Sequence, residues 1–266
     1  MEHIKLDWKM KSLANAETCT AWGCIQPLDA TLARIVANSS SKTIELSIGA
    51  LPVSNPASLI AYYRGEYGLD FTAHHNTPIF PNKSLRPSIN VHPEEMAEQL
   101  ANLGISRYSA HPPAKKFVSE QGFFEWANNW YEVLQTYGIS FCVENMYETR
   151  LRDNSKVETF FLSTINEIHR FVEQMKHWDN KPLLLDLSHL YISSQTGILS
   201  ENDILDLLDS ELYDEAHYSM NDGRRDVHRS IIENDHLMIK WINRINPSCS
   251  IIVDEGKKPL KGNYND

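Results

Sequence analysis

The sequence predicts a (β/α)8 barrel, the TIM-barrel architecture, formed as a single domain over residues 1–266. Two observations predict this fold. Short apolar segments rich in β-branched and aromatic residues alternate along the chain with longer segments of helical spacing. The length of 266 residues also suits one barrel, which typically uses about 250. No low-complexity tract or Pro/Gly/Ser-rich linker marks a domain boundary.

The predicted elements alternate between strand and helix in chain order. Strands are expected at residues 19–23, 43–47, 69–74, 107–110, 140–144, 182–187, 215–219 and 250–254. Helices are expected at residues 28–37, 56–64, 93–103, 123–137, 159–175, 204–208 and 233–244. Eight strands that alternate with seven helical segments are the pattern of a closed parallel barrel.

Proline and glycine mark several helix ends. Pro56 and Pro93 stand at first helical positions, where the missing N–H costs nothing, and Glu94 complements the helix dipole. Gly104 and Gly138 follow predicted helices and directly precede apolar segments. Short helix-to-strand loops are therefore expected at these two points.

A doubly wound α/β sheet is the alternative fold. That fold commonly binds nucleotides through a GxGxxG turn after its first strand, and phosphate-binding folds of the P-loop type carry GxxxxGK[ST]. Neither motif occurs in the sequence. The barrel is therefore the preferred prediction.

Composition and charge exclude several classes of function. The chain is 42% hydrophobic and 23% charged, as in ordinary globular proteins. Its net charge of −10 repels polyanions, so nucleic acid is not an expected partner. Cys19, Cys24, Cys142 and Cys249 form no CxxC pair, and no apolar run has the length of a membrane span. We expect a cytoplasmic protein that does not bind membranes.

Polar residues able to bind metals follow most of the predicted strands, at the point where each apolar run ends. They are His74, His75, His111, Glu144, Asp186, His189, His217, Asp222, Asp226, His228, Asp254 and Glu255. The carboxyl ends of barrel strands meet at one mouth, where unpaired carboxylates would repel one another. A bound cation would remove this repulsion. Histidine and carboxylate ligands without cysteine indicate manganese, zinc, cobalt, magnesium or iron.

The order of these residues resembles the xylose isomerase-like TIM-barrel superfamily, over nearly the whole chain. In its isomerase and epimerase branch, the resemblance implies one divalent metal held by Glu144, Asp186, His217 and Glu255. It also implies that Glu144 and Glu255 move a proton beside a substrate carbonyl. His189 would contact a substrate oxygen or support a ligand. Asp254 and Glu255 alternate in direction along a strand, and Glu255 is the preferred ligand.

Four further residues are candidates for substrate binding. Arg224 and Arg225 follow strand seven and would hold a phosphate or carboxylate, although an exposed turn is the alternative. Trp22 would line an apolar wall of the pocket. His74 and its neighbour His75 point in opposite directions along a strand, so one faces the metal and the other the rim or the helices.

The endonuclease IV-type branch of the superfamily implies a fuller, three-zinc site. The ligands would be His75 (or His74), His111, Glu144, Asp186, His189, His217, Asp226, His228 and Glu255. Asp226-Val227-His228 reproduces the D-x-H motif of that branch. Such a centre would activate water against a phosphodiester.

The preferred hypothesis is a metal-dependent isomerase or epimerase, or a related lyase, acting on a small sugar, sugar phosphate or similar polyhydroxy carbonyl compound. It requires one metal ion, whereas two or three would fit the alternative, a zinc phosphodiesterase or AP endonuclease. A multinuclear iron oxidase and a binding module without activity are less favoured. A homodimer is an assembly common among barrels of this kind.

Overall fold

Eight parallel strands close into a barrel in sequence order, with the last strand pairing to the first. The computed structural model describes residues 16–19, 32–33, 36–37, 43–47, 56–75, 92–148, 159–219, 221–224, 226, 236–246 and 248–253. The strands are β1 (Ala16–Cys19), β2 (Thr43–Ser47), β3 (Asp70–His75), β4 (Arg107–Ala110), β5 (Ser140–Glu144), β6 (Leu183–Asp186), β7 (Tyr213–Tyr218) and β8 (Ser250–Val253). The predicted (β/α)8 fold is confirmed.

Helices follow the strands and cover the outside of the barrel. They are α1 (Pro56–Tyr67), α2 (Pro93–Asn102), α3 (Glu120–Thr136), α4 (Ile165–Gln174), α5 (Leu187–Gln195), α6 (Glu201–Leu208) and α7 (His236–Ile242). Within the described part of the chain, no helix has the length and apolar character needed to span a membrane.

Two elements differ from the sequence-based expectation. β1 is described at Ala16–Cys19, where it pairs with both β2 and β8 and begins three residues before the expected start, while residues 20–23 lie outside the described part of the chain. Helix α5 was not expected, since the apolar run of strand six continues to Leu187. The Asp186 side chain accepts a hydrogen bond from the His189 N–H and so caps α5 directly at the end of β6.

The two helix-to-strand turns predicted from glycine have the expected conformation. Gly104 and Gly138 have φ values of 67° and 70°, which L-residues with side chains rarely adopt. At Gly104 a Cβ atom would also lie 2.8 Å from Nη1 of Arg64, whose guanidinium donates to the Leu103 and Gly104 carbonyls. These turns return the chain to β4 and β5, two of the strands that carry the site.

The outward face of the barrel is apolar and packs under the helices. Paired residues on neighbouring strands share a face, so the strand register separates the two sides of the sheet. Buried residues on the outward side include Ile44, Leu46, Phe71, Tyr108, Phe141, Val143, Leu185 and Ala216. Trp126 and Trp130 of α3 pack against Phe141. This layer is the hydrophobic core.

The inward face of the barrel is polar over most of its described length. Its buried residues include Glu45, Thr72, His74, Ser109, Cys142, Glu144, Asp186, Glu215 and His217. Barrel interiors are usually filled by Val, Ile and Leu. Buried polar groups are costly unless they are paired, hydrogen-bonded or bound to a metal. The interior is therefore where a functional site is expected.

Candidate functional site

Six of the predicted site residues converge inside the barrel mouth, at the carboxyl ends of strands β3 to β7. We call this group the His–carboxylate cluster. It consists of His74, His111, Glu144, Asp186, His189 and His217. All except His111 have at most 3% of their surface exposed. Strand pairing sets their spacing, since Asp186 and His217 are register partners on β6 and β7.

Glu144 lies at the centre of the His–carboxylate cluster. Its Oε2 is 2.9 Å from Nε2 of His111 and 3.2 Å from Nε2 of His74. A hydrogen bond from His111 is one cause of the low pKa of Glu144. One carboxylate oxygen with two imidazole nitrogens beside it is also a set of donor atoms that suits a divalent metal.

Asn145 joins the ends of β5 and β6 and thereby positions Asp186 beside Glu144. Its side-chain oxygen accepts a hydrogen bond from the Asp186 N–H at 2.6 Å. Its backbone carbonyl accepts a hydrogen bond from Nδ1 of His189 at 2.7 Å. Because a carbonyl only accepts, Nδ1 of His189 carries a proton. The other nitrogen, Nε2, faces Oδ2 of Asp226 at 3.5 Å.

Burial and neighbouring charges set the pKa values of the two carboxyl groups in the cluster. Burial and the carboxylates of Glu144 and Asp226 raise the pKa of Asp186 from 3.8 to about 7, although His189 opposes them. Burial also raises the pKa of Glu144, but His111 and His74 outweigh it and hold that pKa well below its usual range. Glu144 is therefore ionised at neutral pH.

The histidines of the cluster divide into two protonation classes. Burial lowers the pKa of His74 well below 6.5, so its imidazole is neutral, as a metal ligand must be. Burial also lowers the pKa of His189, but Asp186, Asp226 and Glu144 raise it to about 10. The three carboxylates around the His189 imidazole thus stabilise its positive charge in the metal-free site. A bound metal cation could supply that positive charge instead.

The residues present fit a divalent metal. Three overlapping groups place one ligand atom from each member within 4.8 Å of the others. The groups are Glu45, His74 and His217; His74, His111 and Glu144; and Glu144, Asp186 and His189. Histidine with carboxylate suits zinc, manganese, cobalt and iron.

The other predicted site residues have different positions. His75 lies on the opposite face of β3 from His74, and it belongs to none of the three ligand groups. The structure thus brings His74 to the candidate metal position for which the sequence favoured His75. Arg224 is exposed and stands outside the cluster. Trp22, Arg225, His228 and Glu255 lie outside the described residues.

Sequence reasoning missed several buried polar residues of the site. Glu45 and Glu215 lie within β2 and β7 and face the interior, and Tyr147 packs its ring 4.8 Å from the His189 ring. The alternation of polar and apolar residues in Thr43–Ser47 could have revealed Glu45. In a barrel covered by helices, both faces of each strand are buried. The apolar face packs against the helices, so the polar face of an alternating strand lines the interior.

Metal binding is expected to stabilise the protein more at about pH 8 than at about pH 5. The raised pKa of Asp186 means that, between pH 3.8 and about 7, the folded protein binds more protons there than the unfolded chain. Asp186 therefore makes the metal-free protein less stable as the pH rises, and a metal that replaces the proton removes this cost.

Thermal unfolding with and without Mn²⁺ or Zn²⁺ measures this effect. At a metal concentration about 100 times Kd, the expected gain at the higher pH is about 5–10 °C in Tm. The gain should shrink at the lower pH, where Asp186 binds a proton instead. An equal gain at both pH values would contradict the prediction.

Comparison with known proteins gives matches in structure but not in sequence. No protein-family model and no curated protein matches the chain. A D-tagatose 3-epimerase-like protein matches with a TM-score of 0.62 at 17% identity, covering 90% of both chains. An AP endonuclease, family 2, from Brucella melitensis matches with a TM-score of 0.56 at 12% identity, covering 90% of this chain and 92% of its own.

A third solved structure is the IolI protein with a bound zinc atom. It matches with a TM-score of 0.57 at 13% identity, covering 92% of this chain and 86% of its own. Likeness at these identities establishes the fold. The chain therefore has the (β/α)8 fold shared by these three proteins, and its resemblance to the xylose isomerase-like barrels is confirmed at the level of the fold.

Proposed function

We propose that the protein is a divalent-metal-dependent isomerase or epimerase acting on a ketose or a similar polyhydroxy carbonyl compound. The observation that carries the proposal is Glu144, a buried and ionised carboxylate with the ring nitrogens of two histidines 2.9 and 3.2 Å from one of its oxygens. The D-tagatose 3-epimerase-like protein of the same fold supports a sugar substrate.

The cluster supplies the groups that proton transfer beside a carbonyl needs. A bound divalent cation would polarise the substrate carbonyl and make the neighbouring C–H more acidic. Glu144, whose pKa is held well below its usual range with His111 as the largest lowering cause, is ionised and accepts the proton. Glu255, which follows β8 in the chain, is proposed to return a proton on the opposite face. His189 donates to a substrate oxygen, and Asn145 holds its ring in place.

Burial of the cluster favours this chemistry over exchange with solvent. Glu144, Asp186 and His189 each have at most 2% of their surface exposed, so few water molecules compete for the proton. Tyr147 closes one side of His189 with its ring. Its hydroxyl accepts a hydrogen bond from the Asp226 N–H at 3.3 Å, which ties the loop after β7 to the loop after β5.

Isotope exchange tests the proposal directly. The protein loaded with Mn²⁺, Co²⁺ or Zn²⁺ is incubated in D₂O with D-tagatose and other ketohexoses, with ketopentoses, and with their phosphates. Epimers or isomers carrying deuterium at the carbon beside the carbonyl are expected. Absence of both products and deuterium in fully metal-loaded protein, over the whole panel, would overturn the proposal.

A phosphodiesterase of the AP endonuclease type is the second candidate function. Three overlapping ligand groups and the His189–Asp226 contact at 3.5 Å favour a centre with more than one metal ion. The AP endonuclease of the same fold adds support. The net charge of −10 opposes binding of DNA. Cleavage of an oligonucleotide with an abasic site by zinc-loaded protein would select this function over the first.

A further inference from the structure

Below the His–carboxylate cluster, the barrel interior holds three charged residues that the proposed chemistry does not use. They are Glu45 on β2, Glu215 on β7 and Arg107 on β4. Glu45 is fully buried and Glu215 is 3% exposed. Arg107 pairs through Nε with Oε2 of Glu215. Buried charges of this kind persist only where partners or function hold them.

His217 connects these residues to the cluster through its two ring nitrogens. Nε2 forms a hydrogen bond with Oε2 of Glu45 at 3.2 Å and lies 3.7 Å from Oε1 of Glu215. Nδ1 faces the other way and lies 3.9 Å from Oε1 of Glu144, at the centre of the cluster. One nitrogen therefore faces the inner carboxylates, and the other faces the proposed metal position.

The chemistry of the hydrogen bond decides which nitrogen carries the proton. An ionised carboxylate only accepts, so Nε2 donates to Glu45. In the metal-bound form the imidazole would be neutral, and its remaining lone pair would be on Nδ1, directed toward Glu144 and the metal position. Metal-bound histidines commonly donate their second N–H to a carboxylate, which orients the ring and increases its basicity.

Charged residues beneath His217 favour this orientation of its ring. Glu45 and Glu215 face Nε2 from two strands, and Arg107 pairs with Glu215. The hydrogen bond places the Glu45 carboxylate against the imidazole, and the Cys142 thiol also faces this part of the interior from β5. His74 contacts the His217 ring edge-to-face at 4.9 Å and restricts its rotation.

We propose that Glu45 is a positioning residue for the metal site: through Nε2 it holds the His217 ring so that Nδ1 faces the metal beside Glu144. The proposal rests on the proposed function, since it assumes that a metal binds in the His–carboxylate cluster. In this role Glu45 acts through His217 and binds neither the metal beside Glu144 nor the substrate.

Metal affinity tests the role of Glu45. Glu45→Gln keeps the side-chain shape but removes the charge, and its amide can donate to Nε2 and so move the proton to Nδ1. The dissociation constants for Mn²⁺ and Zn²⁺, measured by chelator competition, are expected to rise about 10- to 100-fold. The visible absorption of bound Co²⁺ should change as well, because the orientation of a ligand changes. Cys142→Ala, a neutral change in the same interior, is the matched control and should keep the wild-type affinity and spectrum.

A second variant covers the case in which Glu45→Gln folds poorly. Glu45→Asp keeps the buried charge but withdraws the oxygen from Nε2, so its metal affinity should fall between those of the wild type and Glu45→Gln. Circular dichroism of the metal-free proteins establishes that each variant is folded.

Three outcomes would overturn the positioning role. Wild-type affinity and Co²⁺ spectrum in both Glu45 variants would show that His217 does not depend on this residue, while the proposed function would stand. Loss of one of two bound metal equivalents in Glu45→Gln would make Glu45 a ligand instead. Absence of metal binding by the wild-type protein would remove the proposed function and this inference together.

Discussion

Replacing Glu144 with Gln is expected to lower turnover by a factor on the order of 10² to 10⁴ and to weaken metal binding. The amide has nearly the same shape as the carboxylate, but it cannot accept the substrate proton. It also removes the charge that His74 and His111 face at 3.2 and 2.9 Å. Initial rates of deuterium exchange, together with metal content per chain, measure both effects.

Glu148→Gln is the matched control for this substitution. Glu148 follows the same strand, but its carboxylate lies 3.5 Å from Nζ of Lys115 and belongs to none of the metal-ligand groups. Near wild-type turnover is expected for it, because a partly exposed ion pair contributes little. If Glu144→Gln retained full exchange activity with metal bound, Glu144 could not be the proton acceptor.

Replacing Phe141 with Ala is expected to reduce the free energy of unfolding by about 3–5 kcal/mol. Phe141 is fully buried on the outward face of β5 and contacts the rings of Tyr108, Trp126, Trp130 and Trp178. Truncation leaves a cavity between the barrel and helix α3. Glu144 lies three residues later on the same strand, so the cavity would lie beside a strand that carries a residue of the His–carboxylate cluster.

Denaturant unfolding of the metal-free protein measures this change without a contribution from bound metal. Tyr137→Ala is the control, because Tyr137 follows α3 and is 46% exposed. Its effect should stay within about 0.5 kcal/mol. Equal losses in the two variants would mean that Phe141 is not part of the core as the structure describes it.

The polar interior of the barrel explains why the sequence pointed to some of the buried polar residues and missed others. Glu144 and Asp186 end short apolar strands, where a carboxylate stands out against its neighbours. Glu45 and Glu215 lie within strands, where alternation with apolar residues suggests an ordinary solvent-facing side. Only the closed barrel turns that side inward and buries both glutamates.

Residue patterns along the chain predicted the (β/α)8 fold and the strand-end residues of the His–carboxylate cluster. Local patterns carry this information, because strand, helix and turn preferences depend on near neighbours. The tertiary structure decided that His74 rather than His75 enters the cluster, and that Asn145 holds Asp186 beside Glu144. It also decided that Glu45 contacts His217 across 172 positions of the chain. Such contacts depend on strand register and barrel closure, which no local segment of sequence specifies.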